Sequence, residues 1–99
     1  MRVIVYNELD AIYPAEIVSG GAEGVDSIAE YWAYIHWVPC RVFKPDWKAY
    51  GKRAGAIRNK QIVDYCDKLL AFWDGKSKGT LISIEMAKAA GKLEKVYQE

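Results

Sequence analysis

Three short stretches of this chain gather residue types that hold a small anionic molecule. The first, SGGAEGVD, runs from Ser19 to Asp26 and sets Gly20, Gly21 and Gly24 where an apolar run ends and a helical pattern begins. Glycine permits a positive φ and a close approach of backbone to ligand. A helix N-terminus adds free N–H groups and partial positive charge, so phosphate or carboxylate is the natural guest. Asp26 either caps the helix or accepts from a ribose hydroxyl, and capping is the plainer reading. The second, DGKSKGT, places Asp74, Gly75, Lys76, Ser77, Lys78, Gly79 and Thr80 in the same order of strand, glycine loop and helix. Ser77, Thr80 and the N–H groups of Gly79 and Thr80 can hold phosphate oxygens there, with Lys76 or Lys78 supplying charge. The plain alternative is a solvated glycine turn with Thr80 as N-cap. Between them, PDWKAYGKRAGAIRN offers Trp47 and Tyr50 to stack on a flat base. It also offers Lys52, Arg53 and Arg58 to meet phosphate, and Asn59 to read a hydrogen-bonding edge.

Other chemistry has little to stand on. The pattern GG-x-x-G matches neither the dinucleotide fingerprint nor the phosphate P-loop, so no resident cofactor is expected, and it is the aromatic and basic residues of the middle stretch that suit a nucleotide-like ligand. The single histidine, His36, has no cysteine or carboxylate at metal-ligand spacing. Its place near a helix end fits packing or a favourable dipole. No G-x-S-x-G elbow accompanies Ser19, Ser27, Ser77 or Ser83. Cys40 and Cys66 are too few for a disulfide scaffold and read as buried small hydrophobes.

Charge is concentrated. The net charge is +1, yet residues 1–40 set Arg2 against six acids, while residues 41–60 hold seven basic residues against Asp46 alone. A local cluster suits a discrete anion better than a long nucleic-acid track, for which a basic domain as a whole is expected.

The elements that must position these residues follow from periodicity. At 99 residues and 52% hydrophobic, the chain is expected to form one domain over 1–99. No apolar run reaches the roughly 18 residues of a membrane span, and the N-terminus lacks a signal-peptide pattern, so a cytoplasmic protein is expected. Strand candidates are 3–6, 16–19, 41–43, 69–72 and 95–97. Helical patterns cover 26–36, with Ile28, Tyr31, Trp32 and Ile35 on one face, then Ala54 to Asp67 and Thr80 to Ala90. Alternation of strand and helix predicts an α/β sandwich with a mainly parallel sheet of about five short strands. Both glycine loops would then flank the crevice at the C-terminal strand ends. Only about nine residues separate the first two strands, too few for a helical crossover. The helix missing there leaves apolar surface for a partner, and a homo-oligomer is expected.

Taken together, IVSGGAEGVDSIAEYWA and FKPDWKAYGKRAGAIRNKQIVDYCDKLLAFWDGKSKGT resemble the SLOG superfamily, the Rossmann-like domains that include the DNA-processing Smf/DprA proteins and the LOG phosphoribohydrolases. The likeness is closest to the small YspA-like branch of bacteria and phages, over roughly residues 16–97. It implies a compact Rossmann-like three-layer fold whose glycine loops bind nucleotides or nucleotide-derived ligands. Two departures stand out. The usual first strand, Gly-Ser-Arg or Gly-Gly-Arg loop and helix are not matched by VIVYNELDAIYP, so the usual first helix is expected to be lacking. LOG enzymes carry Gly-Gly-x-Gly-Thr-x-x-Glu, whereas the residue three past Thr80 is Ser83 and Glu85 is out of phase with it.

The reading that follows is a non-catalytic domain that binds a nucleotide-derived signal, as a sensor or as a phage-type sponge for a defence signal in the bacterial cytosol. One alternative is a LOG-like N-glycosidic hydrolase, with Asp26 its only candidate acid or base. The other is nucleic-acid binding in the manner of Smf proteins through the 41–60 cluster.

Overall fold

The computed structural model describes residues 2–21 and 24–98. It divides into two compact units, residues 1–44 and 45–99, and each is taken by itself.

The first unit opens on a helix, α1 (Arg2–Ile12), where a strand was expected at 3–6. Val-Ile-Val-Tyr favours strand locally, but Val5 and Leu9 fall four apart and are 3% and 6% exposed, a helical stripe docked on the next helix. The short connection is thus the second half of α1 and a turn at Tyr13, not a strand crossover without its helix. Strand β1 (Ile17–Ser19) follows, then α2 (Val25–Ile35) and β2 (Cys40–Val42). β1 and β2 pair in parallel, Ile17 with Cys40 and Ser19 with Val42, so α2 is the crossover of a βαβ unit. Trp32 of α2 is fully buried, and its indole Nε1 donates to Asp10 Oδ1 of α1 at 2.9 Å. His36 stacks on Trp32 with centroids 4.1 Å apart, and Tyr13 meets both rings edge-on, which accounts for the packing expected of His36. Cys66 is buried as expected, but Cys40 is exposed, because all three residues of the short β2 are.

The second unit repeats the scheme. A short helix, α3 (Trp47–Tyr50), and a 3-10 turn (Gly51–Arg53) lead into α4 (Ala54–Tyr65). Then come β3 (Leu69–Trp73), α5 (Lys78–Ala89) and β4 (Leu93–Gln98). β3 and β4 are parallel across α5, and the core lies between the strands and α4 and α5, at Ala54, Val63, Ala71, Ile84 and Ala87. Lys92 Nζ donates to the carbonyls of Val63 and Asp64 at 2.7 and 3.1 Å, partnering oxygens that the end of α4 leaves open.

The α/β class and the parallel pairing are as expected from alternation. The sheet is not: the described residues form four strands in two two-stranded sheets, because the fifth candidate is spent in α1. No helix among the described residues is long and apolar enough to cross a membrane.

Candidate functional site

In the first unit the glycine loop after β1 is tied from within. Ser19 is 3% exposed, and its hydroxyl donates to Glu30 Oε2 at 2.5 Å while accepting from the N–H of Gly21 at 3.0 Å. The N–H of Gly20 donates to Asp26 Oδ2 at 3.1 Å. Asp26 therefore does not cap α2. The N-cap is Gly24, which makes no side-chain bond, and the Asp26 carboxylate reaches back over the loop. Gly21 is required twice, by its φ of 72° and because a Cβ there would stand 3.0 Å from Val42 Cγ1. Ala22 and Glu23 of this loop lie outside the described residues.

Two carboxylates, Asp26 and Glu30, thus face the segment at which the sequence suggested a phosphate. They are four apart on α2 and share one of its faces. Their field reaches the Cys40 thiol, which is pushed above its ordinary range by desolvation first and then by Glu30, Glu16 and Asp26. With the N–H groups of Gly20 and Gly21 already engaged, this loop suits a hydroxyl or amine donor better than an anion. Glu30 was missed in the sequence. Its signal was the spacing from Asp26, which puts a second acid over the same loop.

In the second unit, several candidates meet where α4 passes the start of α5. Ser77, not Thr80, is the N-cap: its Oγ accepts from the N–H of Thr80 at 3.4 Å and donates to Thr80 Oγ1 at 3.2 Å. Asp74 Oδ1 accepts from the N–H groups of Lys76 and Ser77, both at 2.8 Å, and these bonds, Ser77 first, hold its carboxyl below the usual range. Gly75 closes the turn at a φ of 83°. Trp73 Nε1 donates to the Ser77 carbonyl at 2.9 Å. The loop is thus held by its own side chains, with Lys76 and Lys78 exposed at its rim.

From α4, Asn59 Nδ2 comes within 3.8 Å of the position a Cβ on Gly79 would take. Arg58 Nε donates to Asn59 Oδ1 at 2.7 Å, which orients the amide with its N–H₂ toward α5. One turn earlier on the same face of α4, a Cβ on Gly55 would lie 3.7 Å from Trp47 Cη2, so the Trp47 ring rests over Gly55. Asp46 fixes that ring's helix by accepting from the N–H of Ala49 at 3.1 Å. Trp47 and Tyr50 stay exposed, as do Lys52 and Arg53 in the 3-10 turn. The second unit therefore aligns an open indole, an oriented amide and the first turn of α5 along one face of α4. The predicted residues of the first unit, Ser19, Gly20, Gly21, Gly24 and Asp26, form a loop of opposite charge.

Comparison with known proteins gives two matches. Residues 2–50 match the family model described as YspA, cpYpsA-related SLOG family, a span that holds the first glycine loop and ends within α3. Over 86 residues the chain is 37% identical to the Gene 61 protein of Mycobacterium phage D29, covering 80% of this chain and 68% of that protein. No solved structure matches the chain.

Proposed function

The chain belongs to the YspA, cpYpsA-related SLOG family, and from that membership we propose that it binds a nucleotide or nucleotide-derived signalling ligand without converting it. The single observation that carries this reading is the row on α4: Trp47 over Gly55 and, one turn on, the Asn59 amide beside Gly79. An exposed indole supplies a stacking face for a base. An amide oriented by Arg58 supplies directed donors. Lys76, Lys78 and Arg58 favour the anionic part of such a ligand near the start of α5. The Rossmann-like three-layer arrangement implied by the family is the fold in which we place this site. Kinship with a phage protein supports a sequestering role in an infected bacterial cytosol, where binding alone is the function.

Native mass spectrometry of the purified protein, followed by denaturation and identification of the released molecule, tests this. An intact nucleotide-like species, stoichiometric with the chain and lost in both Trp47→Ala and Asn59→Ala, is the expected result. Retention of the same species by both variants overturns the assignment to this face.

One observation favours a second reading. Glu30 joins Asp26 at the first loop, so an N-glycosidic hydrolase would have two carboxylates where the sequence offered one. It is recognised by a released molecule that is a product rather than an intact nucleotide, and by loss of conversion in Glu30→Gln with binding spared.

A further inference from the structure

We propose that the C-terminal end of α2 is a self-association surface, on which a second copy of this chain docks through Trp37 with Tyr34 and Tyr31 beside it. This goes beyond ligand binding and rests on residues that the ligand reading does not use.

Two helices of the chain end in the same motif. At the end of α5, the N–H of Gly91 donates to Lys88 O at 3.2 Å and that of Lys92 to Ala87 O at 2.8 Å, and Gly91 takes a φ of 72°. At the end of α2, the N–H of Trp37 donates to Tyr34 O at 3.4 Å and that of Val38 to Ala33 O at 2.9 Å, and Trp37 takes a φ of 58°. The motif calls for a left-handed residue and is met by glycine in one case and tryptophan in the other. A bulky side chain at positive φ is an outlier that asks for a reason. Tyr13, the other such residue, has one in its ring contacts with Trp32 and His36. Trp37 has no such contact among the described residues, and it is 94% exposed.

The indole does not stand alone. Tyr34 and Tyr31 are 79% and 59% exposed, with ring centroids 6.3 Å apart. With Ser27 and Ile35 they make an exposed stripe of α2 that carries no charge, in a stretch where Arg2 faces six acids over residues 1–40. That pattern selects the occupant. Two copies brought together elsewhere on so acidic a stretch would repel, whereas an uncharged stripe can meet itself about a two-fold axis, and it offers no charge to steer a basic or acidic partner. Three large aromatic side chains at these exposures bring roughly 500–600 Å² per copy. With these rings fully covered in both copies the pair reaches the roughly 1,000 Å² at which a specific interface begins, the size of a weak, concentration-dependent dimer. Tryptophan and tyrosine are also the residues on which interface energy concentrates.

Sedimentation velocity without added ligand, from about 1 μM to about 1 mM chain, tests the proposal. The wild-type chain is expected to pass from monomer to dimer within that range. Trp37→Gly suits the left-handed position, so it keeps the fold and is expected to weaken the dimer at least about 100-fold. Tyr34→Asp, which sets like charges against each other, is expected to do the same. A wild-type chain that stays monomeric overturns the proposal and leaves the stripe to a different protein, and a dimer that survives Trp37→Gly overturns it by placing the interface elsewhere. Because no nucleotide takes part, failure here is distinct from failure of the ligand reading.

Discussion

Glu30 Oε2 accepts the hydroxyl hydrogen of Ser19 across the first glycine loop, and Ser19 Oγ in turn accepts from the N–H of Gly21. The two bonds link α2 to the loop through one nearly buried oxygen. Ser19→Ala removes both and leaves a partly buried carboxylate short of a donor, so a loss of about 1–3 kcal/mol is expected in urea unfolding. Glu30→Gln keeps an acceptor for the same hydroxyl and is expected to cost less. Equal losses for the two would show that the Glu30 charge, not the shape of the network, holds the loop.

At Gly79 stability and binding are expected to part. Gly79 is helical, and its added Cβ would meet only Asn59 Nδ2 at 3.8 Å, an ordinary contact. Gly79→Ala is therefore expected to leave melting unchanged or to gain about 0.5 kcal/mol from helix propensity. The same methyl group stands between the Asn59 amide and the first turn of α5, where the proposed ligand lies. The copurified nucleotide is expected to fall at least about tenfold in occupancy, by mass spectrometry, while the melting temperature holds.

Much of this second unit was legible because its signals are local. Gly91 marks the end of α5, and the run from Leu69 reads as a strand by its own composition. The first unit hid its key relationships in long-range contacts. Val3 to Tyr6 favours a strand when read alone, and what makes it helical is docking of Val5 and Leu9 on α2 and the bond from Trp32 to Asp10, 22 residues away. Glu30 carries no such signal, because nothing in its neighbours reveals that its carboxylate meets the Ser19 hydroxyl. Asp26 was seen, but its bond runs to Gly20 rather than to its own helix.

Asp74 gives the second loop a pH dependence with a definite sign. Its carboxyl is held below the ordinary value of 3.8 by the N–H groups of Ser77 and Lys76. A carboxyl depressed in the folded state contributes stability that is present above the ordinary value and is lost as pH falls through the lowered one. In an NMR titration the amide resonances of Lys76 and Ser77 are expected to move together below that ordinary value. Asp74→Asn is expected to abolish the movement. Amide shifts that follow the ordinary carboxyl value would mean the two bonds do not form in solution.

The paired helix ends give the last expectation, read on the monomer. Gly91→Ala forces a side chain into a φ of 72° with nothing within 4 Å to blame but the backbone itself, so a loss of about 1–2 kcal/mol is expected. Trp37→Gly relieves the same conformation at a φ of 58°, and after the greater chain entropy of glycine a net gain of about 0.5 kcal/mol is expected. Both belong in urea unfolding at about 1 μM, where association does not add to apparent stability. Opposite signs for the two changes would identify backbone strain as their common cause. A loss at Trp37 would mean that the indole stabilises the monomer itself, and its place on the surface would then need no second copy.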